Sequence, residues 1–124
     1  MRVLLLIGTG GFIGSVCRYL LSKAVQEKML SIFPYGTMTV NLLGCLVIGL
    51  VLALSEKFHF TSERTLFLTT GICGGFTTFS AFSSETLSML RDGHLLQASF
   101  YIIASVVFCL LTTLLGYSIP KLIG

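Results

Sequence analysis

The chain has 124 residues, of which 54% are hydrophobic and only 10% are Asp, Glu, Lys or Arg, and its mean hydropathy is +0.94. A water-soluble domain carries about 25% charged residues, so there is too little charge here to coat a soluble globule, which argues against a soluble enzyme. A net charge of +3 is too slight for a nucleic-acid-binding surface.

A helix rises about 1.5 Å per residue and the hydrocarbon core is about 30 Å thick, so one crossing needs about 20 mostly apolar residues. Four such runs fill the chain and predict an all-α integral membrane protein, one four-helix transmembrane domain over residues 1–124. They run from about Val3 to Leu21, Gly36 to Leu54, Leu66 to Met89 and Leu95 to Ile119. Short connections hold most of the charge: Lys23, Glu27 and Lys28; then Glu56, Lys57, Glu63 and Arg64; then Arg91 and Asp92.

The opening run also looks like a signal peptide, but no small-x-small site follows it and Arg18 stands where cleavage would fall, so it is expected to remain as the first span. It mimics a dinucleotide loop only in part, because the third glycine of G-x-G-x-x-G would fall at Ile13. Gly10 and Gly14 form G-x-x-x-G instead, the pattern by which membrane helices approach closely, and Gly71 and Gly75 repeat it. Arg18 closes this span, as a snorkelling anchor beside Tyr19 or as a fixed charge concentrating anions at a pore mouth.

In the second span Thr37 and Asn41 stand four apart on one face. A buried amide needs partners, found either in a neighbouring helix or in a passing anion. The third span departs from a regular apolar helix, with three glycines and four threonines between Thr69 and Thr78. Gly71, Gly74 and Gly75 are expected to break it near its centre. The freed carbonyls then need partners, which a packed kink or a bound cation such as Na⁺ supplies. Past the break, Phe79 and Phe82 share a face with Ser83 and Thr86; ring edges are positive and suit a small anion, although such pairs are more often lipid-facing or packed bulk.

No acidic residue falls in the middle of a span. Glu85 comes nearest, four residues before the third span ends, so the titratable midplane group that a proton-coupled exporter needs is missing from the pattern. Tyr101, Ser105 and Thr112 give the fourth span a polar stripe. Cys17, Cys45, Cys73 and Cys109 fall one to a span and read as small packing residues, while His59 and His94 read as solvated connection residues.

With four crossings, the termini and the middle connection share one side. That side holds Arg2, Lys57, Arg64 and Lys121; the other holds Arg18, Lys23, Lys28 and Arg91, or three residues if Arg18 lies inside the membrane. A balance of 4 against 4, or 4 against 3, leaves no strong orientation by the positive-inside rule, so the chain is expected to insert both ways and pair with its inverted copy.

The run GGFTTFSAF from Gly74, with GSVCRY from Gly14 and PYGTMTVNLLG from Pro34, resembles the Fluc (CrcB) fluoride channels over nearly the whole chain. Ala81 stands where that family usually has Thr, and Tyr19 where it often has Trp. The resemblance implies an antiparallel homodimer in the cell membrane that passes fluoride passively out of the cytoplasm, and no enzyme. It implies Phe79, Phe82, Asn41, Tyr101 and Ser105 as pore residues, Thr37 as a weaker one and Arg18 as the vestibule arginine. It also implies a structural, untransported Na⁺ held by backbone oxygens at Gly74 and Thr77. The competing class is a small-multidrug-exporter-like proton-coupled transporter, which also shows four spans and balanced charge.

Overall fold

The computed structural model describes all 124 residues, and its regular elements are all helical. They are α1 (Arg2–Met29), α2 (Tyr35–Phe58), α3 (Ser62–Leu66), α4 (Gly74–Phe76), α5 (Phe79–Arg91) and α6 (Leu95–Leu122), with a π-helical stretch, Phe67–Cys73, joining α3 to α4. Four helical units are long and apolar enough to cross a membrane: α1, α2, the composite Ser62–Arg91, and α6. Leu, Ile, Val and Phe side chains cover much of the outer surface, as hydrocarbon requires.

The helices outrun their apolar stretches. α1 continues eight residues past Leu21, ending where Leu30 turns left-handed (φ 46°) and returns its N–H to the Gln26 carbonyl. The Gln26 side chain then organises the connection, donating to the Ser31 and Phe33 carbonyls (2.8 and 3.2 Å) and accepting from Gly36 N–H (3.0 Å). Arg18 is therefore inside α1 and does not close it, contrary to the sequence expectation.

Two glycine seams set the packing. In the first, the paired G-x-x-x-G motifs meet each other. A Cβ on Gly10 would lie 3.0 Å from the Gly71 Cα, and one on Gly14 would lie 2.8 Å from Phe76 N. In the second, Gly49 of α2 and Gly116 of α6 press against the opposite backbone, with added Cβ atoms 2.8 Å from Tyr117 N and 3.1 Å from Leu50 N. Backbone contact this close is the dispersion-driven association that lipid leaves available.

The third span is broken near its centre, as expected, but the glycines do not break it. Gly71, Gly74 and Gly75 remain helical, Gly71 and Gly75 serving the first seam, whereas Thr77 (ψ 157°) and Thr78 (φ −149°, ψ 119°) are extended. The break is stabilised from outside the span. Asn41 Oδ1 accepts from Thr78 N–H (2.8 Å), and Asn41 Nδ2 donates to the Thr78 carbonyl (3.0 Å). Thr78 Oγ1 accepts from Ala81 N–H (3.1 Å) and caps α5.

A small core of Phe33, Phe82, Met89, Ala98 and Tyr101 locks α5 to α6. At one end of the bundle Arg2 pairs with Glu63 (3.5 Å), and Lys121 pairs with Glu56 (3.5 Å) beside Tyr117, whose hydroxyl donates to Glu56 (2.9 Å). These residues lie at the termini and the middle connection, which an even number of crossings brings to one side.

Candidate permeation site at the helix break

The α2–α6 contact has a register that organises the site. Both helices run the same way, and Gly49 meets Thr113 across the second seam. Stepping back four residues at a time on each helix pairs Cys45 with Cys109, Asn41 with Ser105 and Thr37 with Tyr101, each pair 64 positions apart. Four residues of helix rise about 6 Å, so these pairs form a ladder of rungs along one face.

The middle rungs open into a cleft of about 400 Å³. Asn41, Cys45, Cys109 and Ser105 form one wall; Gly74, Thr77, Thr78, Phe79 and Phe82, from the broken span, form the other. No Asp, Glu, Lys, Arg or His lines it. Ser105 Oγ is fully buried and has no hydrogen-bond partner, which is rare, because an orphaned buried hydroxyl costs about 1–3 kcal/mol. The N-terminal end of α5 faces the same space and adds the positive end of a helix dipole. Phe82 is buried (9% exposed) with its ring centroid 5.3 Å from that of Phe79, which is 77% exposed at the open edge.

The carbonyls of Gly74, Gly75, Phe76 and Thr77 have lost their helical donors at the break. Thr78 N–H, which a continuous helix would give to Gly74 O, goes to Asn41. Ala81 N–H, which would serve Thr77 O, goes to the Thr78 hydroxyl. The Gly75 carbonyl is served by Arg18 Nε (3.1 Å), which reaches across the first seam.

A second, polar cavity of about 300 Å³ lies against the other side of Thr78, lined by Arg18, Tyr19, Lys23, Gln26, Thr37 and Glu85 among others. Glu85 is the residue whose partners sequence reasoning missed. It is turned into the bundle, where Oε1 accepts from the Thr37 hydroxyl and Oε2 from the Tyr101 hydroxyl (2.8 Å). Only its position on the face shared with Phe82 and Thr86 hinted at this.

Of the expected site residues, Asn41, Ser105, Phe79, Phe82, Gly74 and Thr77 thus meet at one cleft. Thr37 and Arg18 lie in the adjoining polar cavity. Tyr101 lines neither: it is fully buried, packed between Phe33 and Phe82 (5.4 and 5.0 Å), with its hydroxyl committed to Glu85. The fourth-span stripe also divides, since Thr112 returns its hydroxyl to the Cys109 carbonyl (3.1 Å) of its own helix. Three of the four cysteines, read as packing residues, converge on the cleft: Cys45, Cys73 and Cys109.

Four spans, one of them broken, around an uncharged, donor-bearing cleft define a multi-pass integral membrane protein of the ion-permeation class. The family model described as CrcB-like protein, Camphor Resistance (CrcB) matches residues 5–117, and the chain belongs to that family. It is 47% identical over 116 residues to a protein of Phocaeicola vulgatus, covering 94% of this chain and 96% of that one. It is 44% identical over 119 residues to one of Bacteroides fragilis, covering 94% of each, and 42% identical over 120 residues to one of Chlorobium phaeobacteroides, covering 96% and 93%. All three bear the name fluoride-specific ion channel FluC.

Proposed function

We propose that the chain is a fluoride-selective channel through which the anion leaves the cytoplasm down its electrochemical gradient, limiting its toxicity. The observation that carries this reading is the buried, unpartnered Ser105 hydroxyl lining a cleft without charged side chains; the relatives' shared name supplies the ion. Fluoride is small and strongly hydrated, so a selective path must replace its water with fixed donors. The Ser105 hydroxyl and the Asn41 amide hydrogen not bonded to Thr78 are such donors, and the edges of Phe79 and Phe82 add positive quadrupole.

The polar cavity forms the vestibule of this route. Arg18 and Lys23 raise the local anion concentration there without holding the ion in the narrow part, and Thr78 stands in the walls of both spaces. Thr37 and Tyr101 act through Glu85, fixing the wall. Neutral donors require no fuel: about 100 mV, inside negative, favours anion exit by about 2.3 kcal/mol per charge.

The working unit is an antiparallel homodimer in the cell membrane. The near-balance of charge between the two sides supports insertion both ways, and the exposed Phe79 at the open edge of the cleft supports closure by an inverted copy. The Gly74 and Thr77 carbonyls, stripped of helical donors, are hard neutral oxygens that fit a Na⁺. When bound, the ion supplies positive charge to carbonyls of both copies and is structural, not cargo.

One observation favours a proton-coupled, small-multidrug-exporter-like carrier, namely the inward carboxylate of Glu85. Both its oxygens are already occupied by hydroxyl donors, which ties it to the protein rather than to a cargo. Efflux from liposomes tests the channel reading. We expect rapid fluoride release unaffected by collapse of a proton gradient, chloride release far slower, and a large loss of flux in Ser105→Ala and Phe82→Ile. Equal release of both halides, or dependence on the proton gradient, would refute it.

A further inference from the structure

The ladder that holds the Asn41–Ser105 rung continues one turn further to Cys45 and Cys109, which share a rung of the α2–α6 contact and both line the cleft. Both are partly exposed and both are free. Neither has a part in the route proposed above, although each lines the same cleft. We propose that Cys45 and Cys109 form a two-thiol site for one thiophilic cation of the Hg²⁺ or Ag⁺ class, seated in the cleft one helical turn beyond Asn41 and Ser105.

Three arguments set the chemistry. Sulfur ligands select soft metals, and the cleft offers no carboxylate or imidazole to attract a hard one. No group of three or more His, Cys, Asp or Glu side chains comes together, so the tetrahedral set that Zn²⁺ requires is missing, whereas linear two-coordinate cations need only a facing pair. The seam also holds the pair in place. Gly49 and Thr113, one turn away, bring the two backbones into direct contact. Capture of Hg²⁺ breaks two S–H bonds and forms two Hg–S bonds. Two protons leave to water and no electron is transferred.

The effect of such a cation on transport rests on the cleft being the fluoride route; the binding itself does not. The test uses full-length protein carrying Cys17→Ala and Cys73→Ala, so that only the pair remains, treated with one equivalent of HgCl₂ and washed with a monothiol. One mercury per chain is expected to remain, with the ultraviolet charge-transfer band of a bis-thiolate. Bivalent capture exceeds either thiol alone by about 10²–10⁴-fold, so additional Cys45→Ala or Cys109→Ala should release it in the wash. If the double-alanine background does not fold, the same band in the wild-type chain against Cys45→Ala answers the question.

In liposomes the bound mercury should stop fluoride efflux and a dithiol should restore it. Mercury washed from the intact pair as readily as from either single variant overturns the site. Mercury retained with undiminished efflux upholds the site and counts against the cleft as the ion's route, so the two readings fail separately.

Discussion

Asn41 is where one substitution tests the most structure. Its amide makes two interhelical hydrogen bonds, at 2.8 and 3.0 Å, to the backbone of Thr78. Side-chain bonds between membrane helices average about 0.6 kcal/mol and reach about 1.7, so Asn41→Ala should lose about 1–3 kcal/mol. Unsatisfied backbone in hydrocarbon costs several kcal/mol, so the upper end is expected unless water from the cleft enters to replace the amide. Asn41→Asp separates the two roles. Its carboxylate can still accept from Thr78 N–H but opposes the Thr78 carbonyl, and it places a negative charge in the cleft. It should retain part of the stability and lose essentially all fluoride flux. The chain contains no tryptophan, so thermal unfolding in detergent is best followed by far-ultraviolet circular dichroism, with efflux measured on the same preparations. An Asn41→Ala protein with unchanged midpoint and unchanged flux would refute the assignment of the break to this amide.

The first glycine seam predicts that Gly14→Ala destabilises by about 1–3 kcal/mol or more, because the new methyl meets backbone that cannot rotate away; Gly8→Ala, with nothing within 4 Å, should be neutral or slightly stabilising in the same melt. Tyr101→Phe keeps the ring contacts and removes the donor to Glu85, for a cost of about 1–3 kcal/mol by thermal melt, while Tyr101→Ala should cost several kcal/mol more. Na⁺ should raise the unfolding midpoint of the purified protein in a saturable way, by an amount equivalent to about 2.7 kcal/mol at 100 times its dissociation constant; an equal response to K⁺ would remove the cation from the Gly74–Thr77 carbonyls.

Much of this molecule is legible without coordinates. Four apolar runs fix four crossings, because the bilayer reads length and hydropathy locally, and the Thr- and Gly-rich centre of the third run announces an interrupted helix. The place of the interruption is not legible. Glycine permits a break, but here Gly71 and Gly75 are needed for close packing on α1, and the break falls on Thr77 and Thr78, where Asn41 and the Thr78 hydroxyl take over the hydrogen bonds.

Composition and local pattern, taken alone, determine that the chain lives in a membrane, how often it crosses and which span is irregular. Tertiary structure decides what those patterns leave open: that Ser105 is left without a partner while Tyr101 is not, that Glu85 turns inward, and that Cys45 and Cys109 reach one cleft. Hydropathy belongs to one helix at a time, whereas the partner of a polar group depends on the register between α2 and α6. Two glycines, each pressed against the opposite backbone, set that register across 64 positions of sequence.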